Sequence, residues 1–235
     1  MRKPVTKKKS TSLPTGSGRK LKVTVKTARG RTTGQVKWLQ RQLNDPYVAA
    51  ARTQGYRSRA AFKLMEMDDR HKLIPRGGRI VDLGAAPGGW TQVAVERAGP
   101  KGTVVGLDIS PMEAVTGAEI LHLDFLAEDA PDRLKAIMGG EADAVLSDMA
   151  APATGHRATD HMKIMALCEA ALSFAQEVLK PGGAFVCKVQ RGGTEGQLLQ
   201  TMKRDFRTVA HVKPPASRAD SAEMYVVALG FRGRA

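Results

Sequence analysis

Cysteine is nearly absent from this chain of 235 residues, with only Cys168 and Cys187, and their positions lack metal-ligand spacing. A disulfide framework and a cysteine-held metal are thereby excluded, and two buried, reduced thiols of a cytoplasmic protein are expected. Aromatic residues make up only 5% of the chain. No apolar run of about 18 residues occurs, which excludes a membrane-spanning helix, and the N-terminus lacks the apolar stretch of a secretory signal. Acidic residues are missing altogether from the first 37 positions.

Those same positions hold twelve Lys or Arg, whereas the remainder has 25 basic against 23 acidic residues. The formal charge of +14 is therefore mainly a property of residues 1–37. Rich in Ser, Thr, Gly and Pro, this segment has too few apolar side chains to offset its ordering entropy, so a disordered tail ahead of one folded domain (38–235) is expected. A basic arm on a nearly neutral globule points to a polyanion, with nucleic acid preferred over acidic lipid because no amphipathic apolar face accompanies the charge. Such an arm would add salt-sensitive, sequence-blind affinity.

Beyond the tail, Val36–Leu43 reads as a short helix, and Asn44-Asp45-Pro46 as the turn and cap of a second. Ser58 is expected to cap a helix reaching about Asp69, with Ala61, Leu64 and Met65 at helical spacing. Strands are expected at Arg79–Leu83, Thr103–Asp108, Glu119–Leu123, Ala142–Ser147, Ala184–Val189, Thr208–Val212 and Glu223–Phe231. Helices are expected over about 160–179 and 194–204. This alternation predicts an α/β fold, a mostly parallel doubly wound sheet with helices on both faces. The last two strands, joined without a helix, put one antiparallel strand in it.

Between the first strand and the next helix lies Asp82-Leu83-Gly84-Ala85-Ala86-Pro87-Gly88-Gly89-Trp90. A glycine turn opening a helix aims backbone N–H groups at a bound nucleoside. The turn alone admits NAD as well as S-adenosylmethionine, although it departs from the dinucleotide pattern G-x-G-x-x-G. Asp108, Asp124 and Asp148 follow three successive strand ends, and Asp108 is placed for ribose hydroxyls. Three carboxylates with no Lys or Arg near the turn favour a cationic, phosphate-free cofactor such as S-adenosylmethionine.

Together with Ser58-Arg59-Ala60-Ala61-Phe62-Lys63-Leu64, Ser147-Asp148-Met149-Ala150 and Ser221-Ala222-Glu223-Met224-Tyr225, the glycine turn closely resembles the RrmJ/FtsJ family. These are bacterial 2′-O-ribose methyltransferases of large-subunit ribosomal RNA, with a Rossmann-like methyltransferase fold. The resemblance implies a Lys-Asp-Lys-Glu set at Lys63, Asp148, Lys188 and Glu223. It also implies S-adenosylmethionine contacts at Gly88, Trp90, Asp108, Asp124 and Asp148. On that footing the expected activity is methyl transfer to a ribose 2′-hydroxyl, a uridine's, in 23S RNA of the assembled 50S subunit, by a cytoplasmic monomer. A transfer RNA or cap substrate is the alternative. Lys188 is the implied proton acceptor, and a role merely orienting the hydroxyl stays open. RNA contacts are expected from Arg57, Arg59, Arg191, Lys213 and Arg218, while Trp38, Tyr47 and Tyr56 are read as core before stacking platforms.

Overall fold

The computed structural model describes residues 23–25, 29–151, 154–190 and 196–233. Most of the basic tail and Arg191 lie outside the described residues. In chain order the elements are α1 (Thr33–Leu43), α2 (Pro46–Gln54), α3 (Ala60–His71), β1 (Arg79–Leu83), α4 (Gly89–Ala98), β2 (Thr103–Asp108) and β3 (Glu119–His122). They continue with α5 (Ala130–Met138), β4 (Ala142–Ser147), α6 (Arg157–Val178), β5 (Leu179–Gln190), α7 (Gly196–Asp205), β6 (Phe206–Val212) and β7 (Glu223–Phe231).

The strands form one sheet in the order β3-β2-β1-β4-β5-β7-β6. Neighbours from β3 to β5 run parallel, and β7 runs antiparallel to both β5 and β6. Strand order reverses between β1 and β4, so both strand ends meet there, the place where open α/β sheets bind ligands.

Side-chain alternation explains why both faces are covered. Val81 and Leu83 of β1, Val145 of β4 and Phe185 and Cys187 of β5 pack against α5, α6 and α7. Their neighbours Ile80, Ala144, Leu146, Ala184 and Val186 pack with α2, α3 and α4 on the other side. Each fully buried large side chain contributes roughly 1.5–3 kcal/mol, which favours the two-faced sheet over an exposed one.

Three local expectations are corrected. Helix α1 begins at Thr33, inside the segment assigned to the tail, because Thr32 and Gln35 form a reciprocal capping box. Ahead of it, the Val23 amide donates to Asn44 and its carbonyl accepts from Asn44 and Gln40, which ties that residue to α1. Ser58 makes no side-chain cap on α3, whose first turn follows Arg59. Helix α5 was not anticipated, since its nine residues show few apolar positions beyond the buried Ala130, Leu134 and Met138. Asp45 does cap α2, accepting from the Tyr47 amide at 3.0 Å.

Asp82, 1% exposed in β1, accepts a 2.7 Å hydrogen bond from the Thr91 hydroxyl. Burial, and then the charges of Asp148 and Asp108, lift its pKa from 3.8 to about 7, although the Thr91 hydrogen bond opposes the rise. Because the folded value is raised, the native protein holds a proton that the unfolded chain has released between 3.8 and about 7. Stability therefore falls as pH rises through that window and levels off above it. The expected loss is roughly 3 kcal/mol between about pH 5 and about pH 8. Urea unfolding at both pH values should show Asp82→Asn with a clearly flatter dependence than the parent chain.

Candidate active site

At the end of β1 the chain turns through Gly84, whose φ of +72° suits glycine. A Cβ there would lie 2.4 Å from the Met149 side chain, so the turn and the loop after β4 close upon each other. The Gly84 and Ala85 amides donate to the Leu107 carbonyl, and the Ala86 amide donates to Asp108 Oδ2 at 2.9 Å. Asp108 Oδ1 accepts from Ser110 at 2.7 Å, and Asp124 Oδ1 from Leu126 at 3.0 Å. Both carboxylates are thus fixed by local backbone before any ligand arrives.

A cavity of about 790 Å³ opens at these strand ends, lined by Gly84, Ala86, Asp108, Asp124, Asp148 and Met149 among others. Among the described residues lining it, Lys163 is the one basic side chain. Gly88 and Trp90 do not contribute to the described lining. Gly88, with φ +109°, is covered by the Arg57 guanidinium and Met112. Trp90 is 3% exposed, its indole N–H donating to the Ala60 carbonyl at 2.8 Å and its ring 5.7 Å from that of Tyr225. Gly88 therefore shapes the turn, and Trp90 packs beside Tyr225.

A second pocket, about 370 Å³, is lined by Arg41, Arg59, Lys63, Arg218, Ser221 and Glu223 among others. Between the two cavities runs a continuous chain of contacts. Lys63 Nζ lies 3.4 Å from Glu223 Oε2 and donates to the Tyr225 hydroxyl at 3.0 Å. That hydroxyl donates to Asp148 Oδ1 at 2.6 Å. Lys188 Nζ lies 3.1 Å from the same Oδ1 and donates to the Asp148 carbonyl at 2.6 Å. All four residues of the expected set are brought together, from α3, the end of β4, β5 and β7.

Register accounts for much of this convergence. Lys188 and Tyr225 face each other across the β5–β7 ladder, and Glu223 lies two residues along, on the same side of β7. Tyr225, outside the expected set, belongs to the Ser221–Tyr225 motif and shares that alternation with Glu223. Burial, then the Asp148 and Glu223 charges, push its phenol well above the usual range, so it stays protonated and donates to Asp148. Lys63 and Glu223 line the smaller pocket, whereas Lys188, as buried as Lys63, lies beside Asp148.

The expected RNA contacts divide. Arg59 and Arg218 both reach the smaller pocket, and both pair with the buried Asp45 carboxylate. Arg57 instead spends its guanidinium on the carbonyls of Pro87, Glu113 and Ala114, clamping the loop after β2 to the glycine turn. Lys213 donates to the Ala219 and Ser221 carbonyls, bracing the loop before β7. Tyr47 and Tyr56 pack against Phe62, as core. Trp38 is not core, being 53% exposed.

Residues 56–231 match the model of the FtsJ-like methyltransferase family. The chain belongs to the FtsJ-like methyltransferase family. It is 62% identical over 230 residues to a Parvibaculum lavamentivorans protein named ribosomal RNA large subunit methyltransferase E, covering 94% of this chain and 91% of that one. A Gluconobacter oxydans protein of the same name is 63% identical over 210 residues, covering 89% and 78%. Among solved structures, a Plasmodium falciparum protein described as a ribosomal RNA methyltransferase superposes with a TM-score of 0.68 at 28% identity. That match covers 76% of this chain and all of the other. The carboxylate-lined cavity and the basic pocket are joined through Lys63, Tyr225 and Asp148.

Proposed function

We infer that this protein is a large-subunit ribosomal RNA methyltransferase, transferring a methyl group from S-adenosylmethionine to the 2′-hydroxyl of a ribose, a uridine's, in 23S RNA. The observation that carries this reading is the Lys63–Tyr225–Asp148–Lys188 array, which joins a carboxylate-lined cavity to an arginine-lined pocket. The names of its close relatives support the substrate class.

The larger cavity fits the cofactor by chemistry and by shape. Asp108 and Asp124 offer acceptors for hydroxyl and amine groups, and Asp148 offers negative charge to a cation. The missing Cβ at Gly84 lets the Met149 loop close against the turn. When bound, S-adenosylmethionine supplies an electrophilic methyl group on a positively charged sulfur.

The residues of the chain do the rest. Arg59, Arg218 and Lys63 attract the sugar-phosphate backbone into the smaller pocket. Glu223 holds Lys63, and Lys63 fixes the Tyr225 hydroxyl so that its proton points to Asp148. A ribose hydroxyl is a weak acid and needs a proton acceptor as it attacks. A positioned base contributes about 10²–10⁴-fold, and alignment of the reactants contributes further. We assign that proton to the neutral form of the Lys188 amine, which is held beside Asp148.

Transfer of labelled methyl from S-adenosylmethionine to isolated 50S subunits, to protein-free 23S RNA and to transfer RNA, with the modified nucleotide mapped, tests the reading. A single 2′-O-methyluridine in 23S RNA, formed fastest on the assembled subunit, is expected. Modification of transfer RNA alone would overturn it.

A further inference from the structure

Helix α1 has no buried residue and touches the domain mainly through α2. It nevertheless carries one of the two tryptophans of the chain, 53% exposed, while Trp90 is enclosed. An indole placed in water forgoes a large burial gain, so its position on a surface helix calls for a partner. Trp38 stands three and four residues before Arg41 and Gln42, the spacing that puts side chains on one helical face. Arg41 and Gln42 both line the smaller pocket, beside Lys63 and Glu223. From position 23 to position 44 the sequence has no acidic residue, and Lys37 and Arg41 flank the indole on α1.

We propose that α1 is a base-stacking arm of the acceptor site: Trp38 stacks on an unpaired nucleobase beside the target nucleotide, and Arg41 holds the adjoining phosphate. Basic charge without carboxylates fits a polyanion, and an exposed aromatic face fits a base pulled out of its stack. The arm therefore reads no sequence; it selects RNA that can present a base splayed out beside the reacting ribose. For its substrate class this inference rests on the ribosomal RNA reading above.

The contrast between the two tryptophans provides the probe. Short single-stranded oligouridylate added to the full chain should quench tryptophan emission, and the quenching should vanish in Trp38→Leu. Trp38→Leu should bind this oligonucleotide about tenfold more weakly, and Trp38→Phe should recover most of the loss. On 50S subunits Trp38→Leu should raise KM by a similar factor while kcat, S-adenosylmethionine affinity and melting temperature hold. Arg41→Gln should reduce the slope of log K against log salt by about one, and Trp38→Leu should leave that slope alone. Unchanged oligonucleotide binding by Trp38→Leu would overturn the proposal. So would a raised KM on 50S without weaker oligonucleotide binding, which would make the partner of Trp38 a ribosomal protein. Quenching by oligouridylate in a parent chain inactive on 50S would support the arm while removing the ribosomal substrate.

Discussion

Substituting Lys188 by methionine is expected to abolish methyl transfer, with a loss of about 10²-fold or more in kcat. The cofactor dissociation constant should change only slightly, since Lys188 does not line the larger cavity. Removing one partner of a buried pair costs about 3–5 kcal/mol, so a lower melting temperature should accompany the loss. Lys188→Arg separates the two effects. It keeps a cation near Asp148, but a guanidinium stays protonated and cannot accept a proton. Single-turnover transfer on 50S subunits, with cofactor binding by calorimetry, is the measurement. A near-parental rate in Lys188→Arg would mean that the residue only orients the hydroxyl.

Asp108→Ala should fail at the other end of the reaction. The carboxylate bonds the Ala86 and Ser110 amides and lines the cavity, so its loss removes the proposed ribose acceptor and releases the turn that frames the cavity. Hydrogen bonds to a charged group are worth about 1.5–3 kcal/mol each. Cofactor affinity should therefore fall by roughly 10²-fold, while RNA affinity measured without cofactor stays near the parental value. Calorimetry with S-adenosylmethionine and filter binding with 23S RNA distinguish the outcomes; equal weakening of both would point to collapse of the turn instead.

Most strands were legible because they carry a buried run bounded by glycine, proline or aspartate (β3, with no buried residue, does not), and six of the seven stand where expected to within a few residues at their ends. Strand β5 is the exception: it starts at Leu179 directly after α6, with Lys180–Gly183 bulging between the pairs Ala142–Leu179 and Ala144–Ala184. Proline and glycine there read as a break, whereas backbone pairing resumes on either side of them. The lysine and carboxylate set was legible through its motifs, and the structure joins it through Tyr225. Surface cations were the least legible. Arg57 and Arg59 are separated by one residue, yet one clamps three backbone carbonyls and the other faces the pocket. That outcome depends on which loops arrive from distant parts of the chain, and local sequence holds no record of it. Asp45 shows the same limit. Its capping role could be read from Asn44-Asp45-Pro46, but its pairing with Arg218 links positions far apart in the chain.

Strand β7 is the last strand along the chain, yet it lies between β5 and β6 and supplies Tyr225 and Glu223. The link from Lys63 through Tyr225 to Asp148 between the two cavities therefore has no middle until that strand has inserted. Being last along the chain, β7 is also the last of these strands to be synthesised. A nascent chain can thus shape the glycine turn from earlier segments while having no means of passing a methyl group across, and competence for transfer arrives together with completion of the sheet.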